Sequence, residues 1–189
     1  MVQLSEKVPL IVIDVQNAFN DPSWGKRNNL DAEMNMKSLL QAWRQTNRPV
    51  IFIRHVSRYP HSLFYMESET SHFKHEVQPL PNEMILQKNV NSAFIGTNLE
   101  EIIRELNCPH VVIFGLTTNH CVETTTRMAG NLGFNPILVS DASATFDRIG
   151  PTGKHYHAEL IHEMTLVNLH EEFATIMTTE ELLKEVLYV

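Results

Sequence analysis

The chain has 189 residues, of which 43% are hydrophobic and 20% charged, and its formal net charge is −7. This length predicts a single domain over residues 1–189, and the composition is ordinary for a globular protein with its own core. An acidic balance without a basic block argues against nucleic acid as a partner. The apolar runs are too short to span a bilayer, and the first residues lack the pattern of a secretory signal peptide. We therefore expect a cytoplasmic protein without a membrane partner.

Short apolar runs rich in β-branched residues recur along the chain. Four such runs predict strands at residues 8–15, 50–53, 111–114 and 137–139, and two further candidate strands are residues 84–87 and 173–177. The runs are continuous rather than alternating, which is typical of strands buried on both faces of a parallel sheet.

Helical patterns lie between these runs. They predict helices around residues 36–43 and over residues 99–106, 121–132, 155–169 and 179–187. The fourth of these helices carries Leu160, Ile161, Met164 and Val167, which we expect to face the core. Strands that alternate with helices form βαβ units, so the sequence predicts a three-layer α/β/α sandwich.

Two long polar segments, residues 16–29 and 55–82, directly follow the first two strands. Loops of this length in a compact domain are usually functional, and these two should lie at the carboxyl edge of the sheet. Phe19 and Trp24 in the first segment are candidates for a pocket wall, although Trp24 could equally pack at a subunit interface.

Three reactive side chains stand just after predicted strands: Asp14, Lys88 and Cys121. Each has an ordinary explanation, as a turn residue, a surface charge and a small buried hydrophobe respectively. Their common position at one sheet edge nevertheless predicts a site, because ligands bind outside the carboxyl ends of parallel strands.

Cys121 is the candidate nucleophile, because it follows a strand and a tight turn and opens a predicted helix. The helix dipole and an ammonium such as that of Lys88 favour a thiolate, so we predict a lowered thiol pKa. Asp14 could take the thiol proton and return it to a leaving group. Backbone N–H groups left free in such a turn could hold an oxyanion. Cys108 has no charged helper nearby and is predicted to be structural.

The segment GLTTNHCVETTTRMAGNLGF (residues 115–134) resembles the cysteine-hydrolase branch of the isochorismatase-like superfamily. Supporting segments are IVIDVQNAF (11–19), KNVNSAFIGTNLE (88–100) and VSDASATFD (139–147), and the resemblance runs from about residue 8 to residue 183. It implies a sandwich around a mostly parallel six-stranded sheet, with Asp14, Lys88 and Cys121 as the catalytic residues. It also implies a cis peptide bond at Leu116–Thr117, an oxyanion hole made by Thr117 and Cys121, and a homodimer or homotetramer.

Departures within the superfamily narrow the expected reaction. Isochorismatases that cleave a vinyl ether are expected to lack the nucleophilic cysteine, so Cys121 favours hydrolysis of an amide, ureido or related C–N bond through a thioester. Nicotinamidases of similar fold carry an Asp-x-His pair and a further His as metal ligands after the second strand, where this chain has Arg54. The histidines of this region have no standard zinc spacing, so we expect neither a metal nor another cofactor. They are His55, His61, His72 and His75.

The expected partner is a small-molecule amide or ureide. Candidate pocket residues beside the catalytic segments are His55, Asn91, Phe94, His120 and Phe146. Two other functions stay open on the sequence: a metal-dependent nicotinamidase-like amidase, and a catalytically idle binding protein with an inherited fold.

Overall fold

The computed structural model describes residues 4–187. The strands are β1 (Leu10–Ile13), β2 (Val50–His55), β3 (Met84–Lys88), β4 (His110–Leu116), β5 (Asn135–Ala144), β6 (Arg148–Ile149), β7 (His155–Tyr156) and β8 (Thr175–Met177). The α-helices are α1 (Ala32–Gln45), α2 (Leu99–Glu105), α3 (Glu123–Asn131), α4 (Ala158–Leu169) and α5 (Thr179–Leu187). Among these helices, none combines the length and the apolar character that a bilayer crossing requires.

Six strands form one parallel sheet in the order β3-β2-β1-β4-β5-β8, which confirms the predicted α/β class. The chain adds β2 and β3 on one side of β1, and β4, β5 and β8 on the other. A crevice opens at the carboxyl edge where the strand order reverses, between β1 and β4. Gly115 lies opposite Ile13 in this pair, and a Cβ on it would meet the Ile13 carbonyl oxygen at 2.1 Å. Only a glycine therefore lets the two strands approach so closely at this point.

The sheet separates two apolar layers. Along β1, Leu10 and Val12 face the layer that contains Trp43 of α1 and Leu182 of α5. Ile11 and Ile13 face the opposite layer, which packs against α2, α3 and the end of α4. Side chains on successive strand residues point to opposite faces, which explains why the buried strands are apolar at every position.

The predicted orientation of α4 is wrong. Leu160, Met164 and Val167 are 47%, 48% and 61% exposed, and Ile161 is half-buried. The face that packs inward carries instead Ala158, His162, Thr165 and Leu169. Small and polar side chains are suited to this face because α4 lies against the turn after β4, where His162 is hydrogen-bonded to Thr118 at 2.9 Å. The helix also begins later than predicted, because His155–Tyr156 pairs with Arg148–Ile149 as a two-stranded ribbon.

Candidate active site

A cavity of about 260 Å³ opens at the carboxyl edge of the sheet, between the ends of β1 and β4. Its lining consists of Asp14, Phe19, Trp24, His55, Phe64, Asn91, Thr117, His120 and Cys121. Both long loops contribute to it, as their position after strands predicts. Six other sequence-derived candidates line the cavity together with Asp14 and Cys121, and Lys88 lies against Asp14.

Asp14 and Lys88 form a buried ion pair at the base of the cavity. Lys88 Nζ donates to Asp14 Oδ2 at 2.5 Å, and the two side chains are 0% and 1% exposed. Asp14 follows β1 with φ of 51°, which turns its side chain out of the strand pattern. The second carboxylate oxygen, Oδ1, is buried without a hydrogen-bond partner among the described residues. One oxygen is therefore fixed by the ammonium while the other is available.

His55, at the end of β2, contacts the same ion pair. The Lys88 ammonium donates to His55 Nδ1 at 3.2 Å, and this nitrogen lies 4.0 Å from Asp14 Oδ2. Burial and the Lys88 charge lower the pKa of His55, so its imidazole is neutral near pH 7. An acceptor at Nδ1 places the ring proton on Nε2. Lys88 is thus held between a carboxylate and a neutral imidazole.

Cys121 lies in a π-helical turn, Thr118–Val122, that leads directly into α3. Its Sγ, one Asp14 carboxylate oxygen and one His55 nitrogen all lie within 4.8 Å of one another. The predicted lowering of the thiol pKa is wrong. Burial, followed by the negative charge of Asp14, raises the pKa of Cys121 to about 12, and the Lys88 charge offsets only part of this. The resting group is a thiol beside a carboxylate oxygen that can accept its proton.

The turn that carries Cys121 is held by hydrogen bonds within its own segment and to α4. The Leu116–Thr117 peptide bond that opens it is cis. The Thr117 hydroxyl and His120 Nδ1 are 3.0 Å apart, and Thr118 is hydrogen-bonded to the buried His162 of α4. Thr117 and Cys121 both face the cavity. The backbone N–H groups proposed for an oxyanion hole therefore belong to residues at the cavity wall.

Aromatic side chains form one wall. The Phe19 ring lies 5.0 Å from Trp24 and 5.2 Å from Phe64, and Phe146 packs behind them at 5.5 Å from Trp24. The Trp24 indole donates to the Ala18 carbonyl at 2.9 Å, which fixes the ring within its own loop. Two predicted pocket residues do not line the cavity. Phe146 lies behind the aromatic wall, and Phe94 is buried in the core, where it stacks on Phe134 at 6.3 Å.

Candidate metal ligands come together at two places in residues 4–187: Asp14, His55 and Cys121 in the cavity, and Asp147, His155 and His157 outside it. The first set does not suit a divalent ion, because the Lys88 ammonium already lies against both Asp14 and His55. The other histidines of the second loop are exposed and join neither group: His61, His72 and His75. Arg54 donates to the carbonyl and hydroxyl oxygens of Ser71, so it fastens this loop rather than facing the cavity.

A sequence profile of the isochorismatase domain matches residues 9–181. The chain belongs to the isochorismatase family. It is 50% identical to YrdC, an isochorismatase-family protein of Bacillus subtilis, over 96% of this chain and 97% of that one. It is 31% identical to nicotinamidase 3 of Arabidopsis thaliana, over 97% and 90% of the two chains. A crystal structure of an isochorismatase-family protein from Chromobacterium violaceum superposes with a TM-score of 0.96, at 40% identity and over the whole of both chains.

Sequence reasoning missed three residues of this isochorismatase-family site. Phe64 reaches the cavity from the middle of a long irregular segment, where no periodicity marks it. Gln16 is fully buried, and its amide joins the two loops by bonds to both backbone groups of His55. The position of Gln16, two residues after Asp14, was the sequence signal that could have identified it as a site residue. His162 was missed because the sequence pattern assigned the inward face of its helix to apolar residues.

Proposed function

We propose that this isochorismatase-family hydrolase cleaves an amide or related C–N bond of a small uncharged molecule through a thioester on Cys121. The observation that carries the proposal is that the two carboxylate oxygens of Asp14 have different surroundings. Lys88 occupies Oδ2, while Oδ1 is buried and unpartnered among the described residues. The Asp14 carboxylate also lies within 4.8 Å of the Cys121 sulfur, the only thiol among the described residues that line the cavity. A carboxylate held in this way is suited to receive one proton from one defined direction.

In the acylation step, the Cys121 thiol gives its proton to Asp14 Oδ1 as the sulfur attacks the substrate carbonyl carbon. The thiol pKa near 12 means that proton transfer and attack occur together, since the free thiolate is scarce near neutral pH. The N–H groups of Thr117 and Cys121 would hold the negative carbonyl oxygen. When the C–N bond breaks, the leaving nitrogen takes the proton from Asp14, and an acyl thioester remains on Cys121.

In the deacylation step, Asp14 takes a proton from water, and the resulting hydroxide attacks the thioester carbonyl. The C–S bond then breaks, and the proton on Asp14 returns to sulfur, so that the free thiol and a carboxylic acid product are formed. Lys88 keeps its proton throughout and orients the carboxylate, because its ammonium donates to Asp14 and His55 at the same time.

The cavity favours an uncharged, flat substrate. Among the described residues that line it, Asp14 is the only one with a formal charge, since burial lowers the pKa values of His55 and His120. A substrate carboxylate would meet no free cation there and would lie near the Asp14 charge. The Phe19, Trp24 and Phe64 rings offer apolar surfaces suited to a planar amide or ring, and the volume fits about one small ring.

Ammonia release from a panel of matched compounds tests the proposal. Each uncharged primary carboxamide on an aromatic or aliphatic ring is paired with a ureido acid of similar size, and we expect turnover of the uncharged members. Hydroxylamine added during turnover should capture the thioester and yield a hydroxamic acid. Ammonia release without hydroxamate formation at any hydroxylamine concentration would argue against the acyl intermediate.

The two alternative functions give different results in the same assay. A nicotinamidase-like metal enzyme would lose turnover after prolonged chelation and regain it with added Zn²⁺ or Fe²⁺, whereas we expect turnover to survive chelation. A binding protein would retain panel compounds in a binding assay without releasing ammonia from any of them.

A further inference from the structure

The second group of metal-ligating side chains lies outside the cavity, on the ribbon between β5 and α4. Asp147 stands just before β6, and the ribbon returns through β7 to His157, the residue that precedes α4. His155 and His157 are two residues apart in extended backbone, so both side chains lie on the same side. The return of the chain therefore brings two imidazoles to one carboxylate.

The three side chains are close enough to share one ion. His155 Nε2 lies 2.9 Å from Asp147 Oδ2, and His157 Nδ1 lies 3.9 Å from the same oxygen. All three candidate ligand atoms are within 4.8 Å of one another. Ligand atoms around a tetrahedral Zn²⁺ with bonds of 2.0–2.1 Å are separated by about 3.3 Å. The observed separations bracket this value, and the imidazoles, 45% and 74% exposed, have room for the small rotations required.

The carboxylate is already held in place by the backbone. Asp147 Oδ1 accepts the N–H of Ala158, the first residue of α4, at 2.8 Å, which leaves Oδ2 directed at the histidines. Outer hydrogen bonds of this kind orient metal ligands and increase affinity. Two imidazole nitrogens and one carboxylate oxygen suit Zn²⁺ and related divalent transition ions, with the remaining positions open to water.

We propose that Asp147, His155 and His157 form a surface site for a divalent transition-metal ion, with Zn²⁺ as the fitting example. The ion would join the end of β5 to the start of α4. The ring of Phe146, the neighbour of Asp147 in the chain, lies 5.5 Å from the Trp24 ring. The proposed metal site is therefore next to a residue that packs behind the aromatic wall of the cavity. This inference does not depend on the proposed reaction.

Titration calorimetry with zinc chloride tests the site in tag-free protein. The parent is the Cys121→Ala variant, so that no zinc uptake by the cavity thiol can contribute to the signal. His157→Gln is the test variant, since the His157 side chain is 74% exposed. His61→Gln, an exposed histidine outside both groups, is the matched control.

We expect saturable binding of one ion per chain in the parent and in His61→Gln. Loss of His157 should weaken zinc binding by more than about tenfold. Loss of a residue that only hydrogen-bonds to a metal ligand already costs at least about tenfold in affinity, and His157 would be a ligand itself. Zinc at about ten times its dissociation constant should raise the unfolding temperature of the parent by roughly 3–6 °C, but not that of His157→Gln. Equal affinity in His157→Gln and the parent, or no saturable binding in the parent, would overturn the assignment.

Discussion

Lys88 Nζ lies 2.5 Å from one oxygen of Asp14, while the other oxygen of Asp14 has no partner among the described residues. The two charges are buried together, with side chains at most 1% exposed. The contributions of the two charges to the free energy of unfolding are therefore coupled, because removing one charge leaves the other buried without a partner.

The first prediction follows from this coupling. Asp14→Asn and Lys88→Met should each reduce kcat/KM by about 10²-fold or more, because each removes part of one proton-transfer unit. The double variant should be hardly worse than the poorer single variant. Lys88→Arg should not restore activity, since a planar guanidinium cannot replace a compact ammonium between Asp14 and His55.

Chemical denaturation supplies the control for this prediction. Each single variant should lose about 3–5 kcal/mol of unfolding free energy, and the double variant should lose less than either. Additive losses in both activity and stability would show that Asp14 and Lys88 act independently.

The second prediction concerns the protonation of Cys121. In a Cys108→Ala background, alkylation of Cys121 by iodoacetamide should accelerate about tenfold per pH unit from about pH 6 to about pH 9, without a plateau. Asp14→Asn should increase the rate at any one pH in this range. The reason is that the Asp14 charge raises the thiol pKa, and its loss leaves the Lys88 charge, which lowers it. A plateau below about pH 7 would indicate a preformed thiolate and contradict this account.

The third prediction concerns His162, which joins α4 to the turn that carries Cys121. Burial lowers its pKa to about 4, so the folded protein keeps this imidazole neutral where the unfolded chain protonates it. The folded state should therefore lose stability as the pH falls through about 6.5 towards about 4. The cost at pH 5 is about 2 kcal/mol, from roughly 1.5 pH units at 1.36 kcal/mol each.

Denaturant unfolding at pH 7 and pH 5 measures this effect. The wild-type chain should lose about 2 kcal/mol more than His162→Gln over this interval. A variant at the exposed His61 should behave as the wild type does. The same pH dependence in His162→Gln would assign the titration to another group.

The fourth prediction is self-association through the exposed face of α4. Leu160, Met164 and Val167 follow one another at helical spacing and are each about half exposed or more. Monomeric proteins rarely leave such contiguous apolar surface uncovered, so we expect a second copy of the chain to cover it. Light scattering at micromolar concentration should give a dimer or tetramer, and Val167→Glu should shift it towards the monomer. Leu30→Glu, at an exposed leucine outside α4, is the matched control, and a monomeric wild-type chain would contradict the prediction.

The sequence predicted the features that follow from local patterns. Continuous β-branched runs located four of the six sheet strands, and apolar segments at residues 84–87 and 173–177 located the other two. Positions at the ends of these strands identified Asp14, Lys88 and Cys121, which the fold brings to one edge. Periodicity predicted α4 but assigned its apolar face to the core, because a periodic pattern gives the faces of a helix and not their surroundings.

Properties that depend on the assembled site could not be predicted in this way. The helix dipole and Lys88 argued for a lowered pKa of Cys121, whereas burial, a property of the packed chain, dominates and raises it. Likewise, Phe64 reaches the cavity through an irregular loop whose path depends on contacts such as those of Gln16 with His55.

The central claim is that Cys121 forms a covalent intermediate with the substrate, and a comparison of two cysteine variants tests it most directly. With a substrate found in the amide panel, kcat/KM is measured for Cys121→Ala and Cys108→Ala, which remove the two cysteines of the chain in turn. We predict a loss of at least about 10³-fold for Cys121→Ala, as expected for removal of a nucleophile, and near wild-type activity for Cys108→Ala. Equal losses in the two variants, or substantial turnover by Cys121→Ala, would contradict the account.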